Sequence, residues 1–216
     1  MKETHLVVFD LDKTLVVDNC SFAFCRYLVS KKILPFSSLL CAFFYYLRHT
    51  FLGMGLADLH SHVFSSLLKG RSLSVLEAQV EPFLKEYLPL KEYIPALSQL
   101  RLAQQLGYYT LILSNSPSFL VKKIAEHLHV DEWFSTEYAI DKEKNLCHIA
   151  FIMQGEEKAR AVKKIAKKLS IPLEKITAYS DSFLDLPLLL SVGVAVAVNP
   201  DGKLRRFSKL HDWSIL

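Results

Sequence analysis

Three short apolar runs in this chain each stop at a cluster of polar residues. The first is Val7-Val8-Phe9, leading into Asp10-Leu11-Asp12-Lys13-Thr14. The second is Leu111-Ile112-Leu113, leading into Ser114-Asn115-Ser116. The third is Ile176-Thr177-Ala178-Tyr179, leading into Ser180-Asp181-Ser182-Phe183-Leu184-Asp185. Brief apolar runs with helical sequence between them read as buried strands of a mostly parallel sheet covered by helices. In such sheets ligands bind beyond the carboxyl ends of the strands. Asp10, Asp12, Asp181 and Asp185 are therefore expected to converge in one crevice. Carboxylates packed together repel each other. A hard divalent cation such as Mg²⁺ removes that cost, and oxygen-only ligation suits it.

The rest of the chain fits this frame. Residues 19 to 88 show no clear strand and read as three or four helices. Breaks are expected near Pro35, at Gly53-Met54-Gly55 and at Gly70, with Ser72 or Ser74 capping the next helix. Pro89 and Pro95 frame the exit. Beyond them the pattern predicts helix 95–106, strand 108–113, helix 117–129, a short strand near 134–139 and helix 156–169. Strand 176–179, a helical turn from Asp185 and strand 194–198 complete it. The expected fold class is α/β, a Rossmann-like parallel sheet flanked by helices, with an all-helical domain inserted after the first strand. The expected division is 1–17 and 90–216 for the core and 18–89 for the insertion. No Gly-x-Gly-x-x-Gly follows the first strand, which argues against a dinucleotide site.

Composition narrows the partners. The 26 Lys and Arg against 22 Asp and Glu leave a net charge of +4, weak support for nucleic acid, and none is expected. The densest basic run, Arg160, Lys163, Lys164, Lys167 and Lys168, has the spacing of one solvated helix face. Four cysteines without metal-ligand spacing read as free thiols, which suits a reducing compartment and predicts a cytoplasmic protein. Lys2 and Glu3 ahead of the first strand do not resemble a signal peptide.

The order and spacing of the acids resemble the haloacid dehalogenase-like hydrolase superfamily. Its Asp-x-Asp-x-Thr motif stands here as Asp10-Leu11-Asp12-Lys13-Thr14, its hydroxyl after a strand as Ser114, and its acid pair as Asp181 and Asp185. The lysine of its third motif matches Lys158 in Gly155-Glu156-Glu157-Lys158, with Lys163 and Lys164 as alternatives. The whole chain is similar to the phosphoserine phosphatase-like subgroup, with a helical cap between the first two motifs, and closest to its uncharacterised bacterial members. The resemblance implies a Mg²⁺-dependent phosphomonoesterase acting on a small-molecule phosphate ester. Asp10 would be the nucleophile that forms an aspartyl-phosphate, and Asp12 the acid and base. Asp10, the backbone carbonyl of Asp12, and Asp181 would hold Mg²⁺, with Asp185 supporting them. Ser114 and Lys158 would bind phosphate, helped by Asn115. Thr14 would either cap the loop or orient Asp10. A phosphotransferase using the same aspartate, or a catalytically silent regulatory domain, are the alternatives.

Three positions depart from that subgroup. An acid usually stands nine residues after the nucleophile, where this chain has Asn19. Two glycines usually follow the second-motif serine, where it has Asn115-Ser116. Leu184 replaces the Asn before the last acid. Hydrolysis survives these departures, and they leave open whether phosphoserine is the substrate. The inserted segment also carries an unusual apolar stretch, with fifteen uncharged residues from Ile33 to Leu47, which lifts the mean hydropathy to +0.21. The stretch is shorter than the roughly 20 residues a membrane span needs. It leaves open a compact cap core, a homodimer surface, a pocket for an ester with an apolar tail, or membrane association.

Overall fold

The computed structural model describes residues 5–216, except the side chains of His49 and Thr50. Lys2 and Glu3 lie outside the described residues. The first strand, β1 (Leu6–Asp10), is buried along its whole length. Its alternation sends Leu6 and Val8 into one hydrophobic core and Val7 and Phe9 into another. Full burial of each such side chain contributes about 1.5–3 kcal/mol, so both faces of the sheet must be covered.

A helical segment follows: α1 (Cys20–Ser30), α2 (Ser37–Leu52), α3 (Leu56–Val63), a π-helical turn over Phe64–Leu68, and α4 (Leu73–Lys91). Gly53, at φ +69°, ends α2 in the left-handed conformation that glycine adopts most readily. Ser72 stands at the N-cap of α4, but its hydroxyl bonds Ser74 instead of a helix N–H. The helix runs through Pro89 to Lys91, past the expected exit. Where the chain leaves and re-enters the sheet domain its two crossings are paired. Val17 donates its N–H to the carbonyl of Lys91 and Tyr93 to that of Leu15, both at 2.8 Å.

The remainder alternates. In order come α5 (Ile94–Gln105), β2 (Tyr109–Pro117), α6 (Ser118–Leu128), β3 (Glu132–Ile140) and β4 (Leu146–Phe151). Then follow α7 (Gly155–Leu169), β5 (Ile176–Ser180), the short α8 (Leu186–Leu189), β6 (Val194–Ala197), α9 (Gly202–Leu210) and β7 (Ser214–Ile215). The seven strands lie in the order β4-β3-β2-β1-β5-β6-β7. Pairings are parallel except β3 with β4, which is antiparallel. β1 thus sits between β2 and β5, and the three polar run-ends become neighbours at one edge of the sheet.

Two strands differ from the expectation. β4 and β7 are edge strands; of β4 only Leu146 is buried, so neither shows a continuous apolar run. The start of β4 clasps the helical segment: Gly70 donates to the Leu146 carbonyl at 2.7 Å and Leu146 to that of Arg71 at 2.9 Å.

The apolar stretch is not the core of its segment. Leu40, Phe43, Phe44, Tyr46 and Phe51 are exposed on α2. The segment's interior comes instead from α1 and α4, where Phe24 packs edge-on against Phe83 at 5.2 Å and Phe83 stacks on Tyr87 at 4.7 Å. Among the described residues no helix is long and apolar enough to cross a membrane. All four cysteines are free thiols. Arg160, Lys163, Lys164, Lys167 and Lys168 line the exposed face of α7.

Candidate active site

Asp10 closes β1 and is buried. The chain then turns tightly around the Leu11 carbonyl, which accepts from the N–H groups of Thr14, Leu15 and Val16. Lys13 holds that turn at φ +60°, a conformation costly for any residue with a Cβ. Its side chain is exposed. The turn brings the Asp12 carboxylate to the start of α1, where Oδ1 accepts the Cys20 N–H at 2.6 Å. The positive end of the helix favours a carboxylate there. Oδ2 accepts the Ser116 hydroxyl at 2.6 Å. With its proton so committed, Ser116 must accept from Ser21, whose Oγ lies 2.5 Å away.

Lys158 enters from the first turn of α7, and its fully buried ammonium donates to two acids. It reaches Asp10 Oδ1 at 2.6 Å and Asp185 Oδ2 at 2.7 Å. Lys163 and Lys164 face solvent. The approach of α7 depends on Gly155. A Cβ there would meet the carbonyl oxygen of Leu184 at 2.2 Å, in the turn that carries Asp185. Ser180 adds a hydroxyl to Asp185 Oδ2 at 2.7 Å. Asp201 pins the same turn by accepting the Phe183 N–H at 2.8 Å.

Electrostatics follow from this crowding. Burial pushes Asp10 well above the usual carboxylate range. Lys158 opposes that shift, while Asp185, Asp181 and Asp12 reinforce it. Asp181, just beyond β5, is raised to about 7, chiefly by burial and against the pull of Lys13. Burial would lower Lys158, but the charges of Asp10 and Asp185 and its bonds to them hold it above its ordinary value. Burial and the Asp12 charge push the Cys20 thiol well up, so it is not a reactive thiolate.

The other expected residues fall as follows. Ser114 is fully buried at the end of β2 and accepts the Ser116 N–H at 3.1 Å, which leaves its own proton to donate. Asn115 stands beside it with a buried side-chain oxygen that has no partner among the described residues. The Thr14 hydroxyl is likewise buried without a partner. It therefore neither caps the loop nor bonds Asp10, because backbone N–H groups already close the turn. Asn19 is consumed as the cap of α1, accepting the Phe22 N–H at 2.8 Å. Asp18 points to α4, where Tyr87 donates to it and Lys91 pairs with it at 3.0 Å. Ser116, Ser180, Gly155 and Asp201 were not anticipated as site residues. The one signal was a hydroxyl at 116 in place of the glycine usual in the family.

Among the described residues no three His, Cys, Asp or Glu side chains close into a ready metal-binding group. Lys158 occupies one oxygen of Asp10, and Asp12 is turned to Cys20 and Ser116. The donor set nonetheless fits a hard cation. Four carboxylates (Asp10, Asp12, Asp181, Asp185) interact here with the ammonium groups of Lys13 and Lys158. An oxygen-rich site with surplus negative charge is what a divalent cation of the Mg²⁺ kind stabilises.

Comparisons with known proteins agree with this geometry. The family model of haloacid dehalogenase-like hydrolases matches residues 7–190. The probable phosphatase Rv3661 of Mycobacterium tuberculosis is 28% identical, over 96% of this chain and 73% of its own length. Phosphoserine phosphatase SerB1 of the same organism is 28% identical, over 98% of this chain and 70% of its own. A crystal structure of a protein of unknown function from Bordetella pertussis superposes with a TM-score of 0.86 at 20% identity, over 99% of this chain and 98% of that one.

Proposed function

The chain belongs to the haloacid dehalogenase-like hydrolases, and on that premise we propose that it hydrolyses a small-molecule phosphate monoester through an aspartyl-phosphate on Asp10. The observation that carries this reading is the buried Lys158 ammonium within 2.7 Å of both Asp10 and Asp185. Lys158 engages Oδ1 of Asp10, which leaves Oδ2 for attack on phosphorus. In the first step the Asp10–phosphorus bond forms and the ester P–O bond breaks. Asp12 delivers a proton to the departing alcohol oxygen. In the second step Asp12 takes a proton from water, whose oxygen displaces Asp10 and releases inorganic phosphate. Ser114 donates to a phosphate oxygen, and Lys158 offsets the charge gathered on Asp10 and phosphate. Asp10, the backbone carbonyl of Asp12, and Asp181 would hold Mg²⁺, whose charge offsets repulsion between nucleophile and phosphate. Residues 18–89 form the cap over this site, and residues 1–17 and 90–216 the catalytic core.

The test is a phosphate-ester panel run with Mg²⁺ and with EDTA, on wild type and Asp10→Asn. Turnover that needs Mg²⁺ and falls at least a thousandfold in Asp10→Asn is expected. Full activity in Asp10→Asn would remove Asp10 as nucleophile and with it the mechanism.

A further inference from the structure

A cavity of about 110 Å³ lies between the helical segment and the sheet, walled by Phe24, Leu28, Phe64, Leu67 and Phe119. Among the described residues its lining contains no carboxylate, lysine or arginine, and its polar members are Ser21, Cys25, His60 and Tyr138. Ser21 and Pro117 also line it. Ser21 is hydrogen-bonded to Ser116, and Ser116 to Asp12, so the cavity starts two hydrogen bonds from the proposed proton donor. Phe64 and Tyr138, also in the wall, stack with ring centroids 5.1 Å apart. Phe64 and Leu67 belong to the π-helical turn, in which Lys69 donates to the Phe64 carbonyl at 2.9 Å. Such turns are rare in helices and occur frequently at functional sites.

Whatever is bonded to the leaving oxygen must extend from Asp12 away from the phosphate. Polar side chains around the start of α1 are already engaged: Ser21 bonds Ser116, Asn19 caps α1, and Asp18 is held by Tyr87 and Lys91. We infer that the cavity receives the alcohol part of the substrate, and that this alcohol is uncharged and apolar. Its volume is of the order of the ~150 Å³ cavity that admits benzene, which suits a six-carbon chain or a phenyl group. The inference rests on the phosphomonoesterase reading of Asp10 and Asp12.

Two measurements separate the inference from that reading. The first compares kcat/KM for methyl, butyl and hexyl phosphate and for phosphoserine, with Mg²⁺ present. The expected rise is about fourfold per added methylene up to hexyl, with hexyl phosphate at least tenfold above phosphoserine. Val63→Phe and Leu68→Phe, each adding bulk to the cavity wall, are expected to cut the hexyl-to-methyl ratio at least tenfold. The second measures calorimetric binding of methyl- and hexylphosphonate, which cannot be hydrolysed. The hexyl compound is expected to bind at least tenfold more tightly. Equal binding of the two phosphonates, or a preference for phosphoserine over hexyl phosphate, overturns the inference. No turnover of any ester together with tighter hexylphosphonate binding supports the cavity assignment and removes the hydrolase reading instead.

Discussion

Replacing Lys158 with Met tests the centre of the site without relying on turnover. Methionine keeps most of the methylene volume, so the change removes mainly the ammonium. That group lies 2.6 Å from Asp10 and 2.7 Å from Asp185, and all three side chains are less than a tenth exposed. At an effective dielectric of about 20, each contact carries roughly 6 kcal/mol of Coulomb attraction. Most of that offsets the cost of burying the charges. What truncation reveals is the penalty of stranding two carboxylates, about 3–5 kcal/mol. For a chain of this size that corresponds to a fall in Tm of roughly 6–20 °C. The pH dependence gives a second readout. In the wild type Lys158 opposes the upward shift of Asp10, so without it Asp10 moves higher still. The folded variant then binds more protons than the unfolded chain above about pH 4, and its stability falls as pH rises. The deficit relative to wild type should therefore be smaller at pH 5 than at pH 7. Urea unfolding in EDTA at both pH values measures it. A deficit below about 1 kcal/mol at pH 7, or one that stays constant or grows on acidification, would refute the buried triad.

Three further outcomes are expected. Gly155→Ala should destabilise the fold by about 1–3 kcal/mol and lower activity, because the new methyl displaces the Leu184 carbonyl and with it Asp185; urea unfolding and turnover report the two effects. Ser116→Ala should lower kcat about tenfold with little change in KM and should shift the pH–rate profile, since Asp12 loses the hydroxyl that positions it; Ser116→Thr should restore both in part. Asp181, raised to about 7, must lose its proton before it can ligate a cation. The Mg²⁺-induced rise in Tm should therefore be larger at pH 8 than at pH 6, where only about a tenth of the group is ionised. An equal rise at both would remove Asp181 from the ligand set.

The sheet and the grouping of acids could be read in advance because each rests on local signals. An apolar run that stops at an acid is visible without knowing its neighbours, and β1, β2 and β5 were found that way. β4 was not, because an edge strand with one buried residue carries no such run. The orientation of Asp12 escaped for a different reason. It depends on a backbone N–H at the start of α1 and on a serine 104 positions away, and neither has a pattern along the chain. Gly155 was noted only as part of a motif. Its physical role, the 2.2 Å clearance to Leu184, exists only once α7 meets the turn before α8. The role of the aromatic residues of α2 stayed open in the sequence, since apolar composition alone does not tell a core from an exposed face.

The central place of β1 also bears on how the chain is made. Leu6 pairs with Tyr109 on one side and with Ile176 on the other. β1 therefore leaves the ribosome 170 positions ahead of one of its two partners. At about 5–20 residues per second that is roughly 10–30 s. Until β2 is made the five residues of β1 have no strand beside them, and Asp10 has no lysine until residue 158 is made. The cluster of Asp10, Lys158 and Asp185 can close only after Asp185 has followed β5 out, so a protein with all three in contact already has both neighbours of β1.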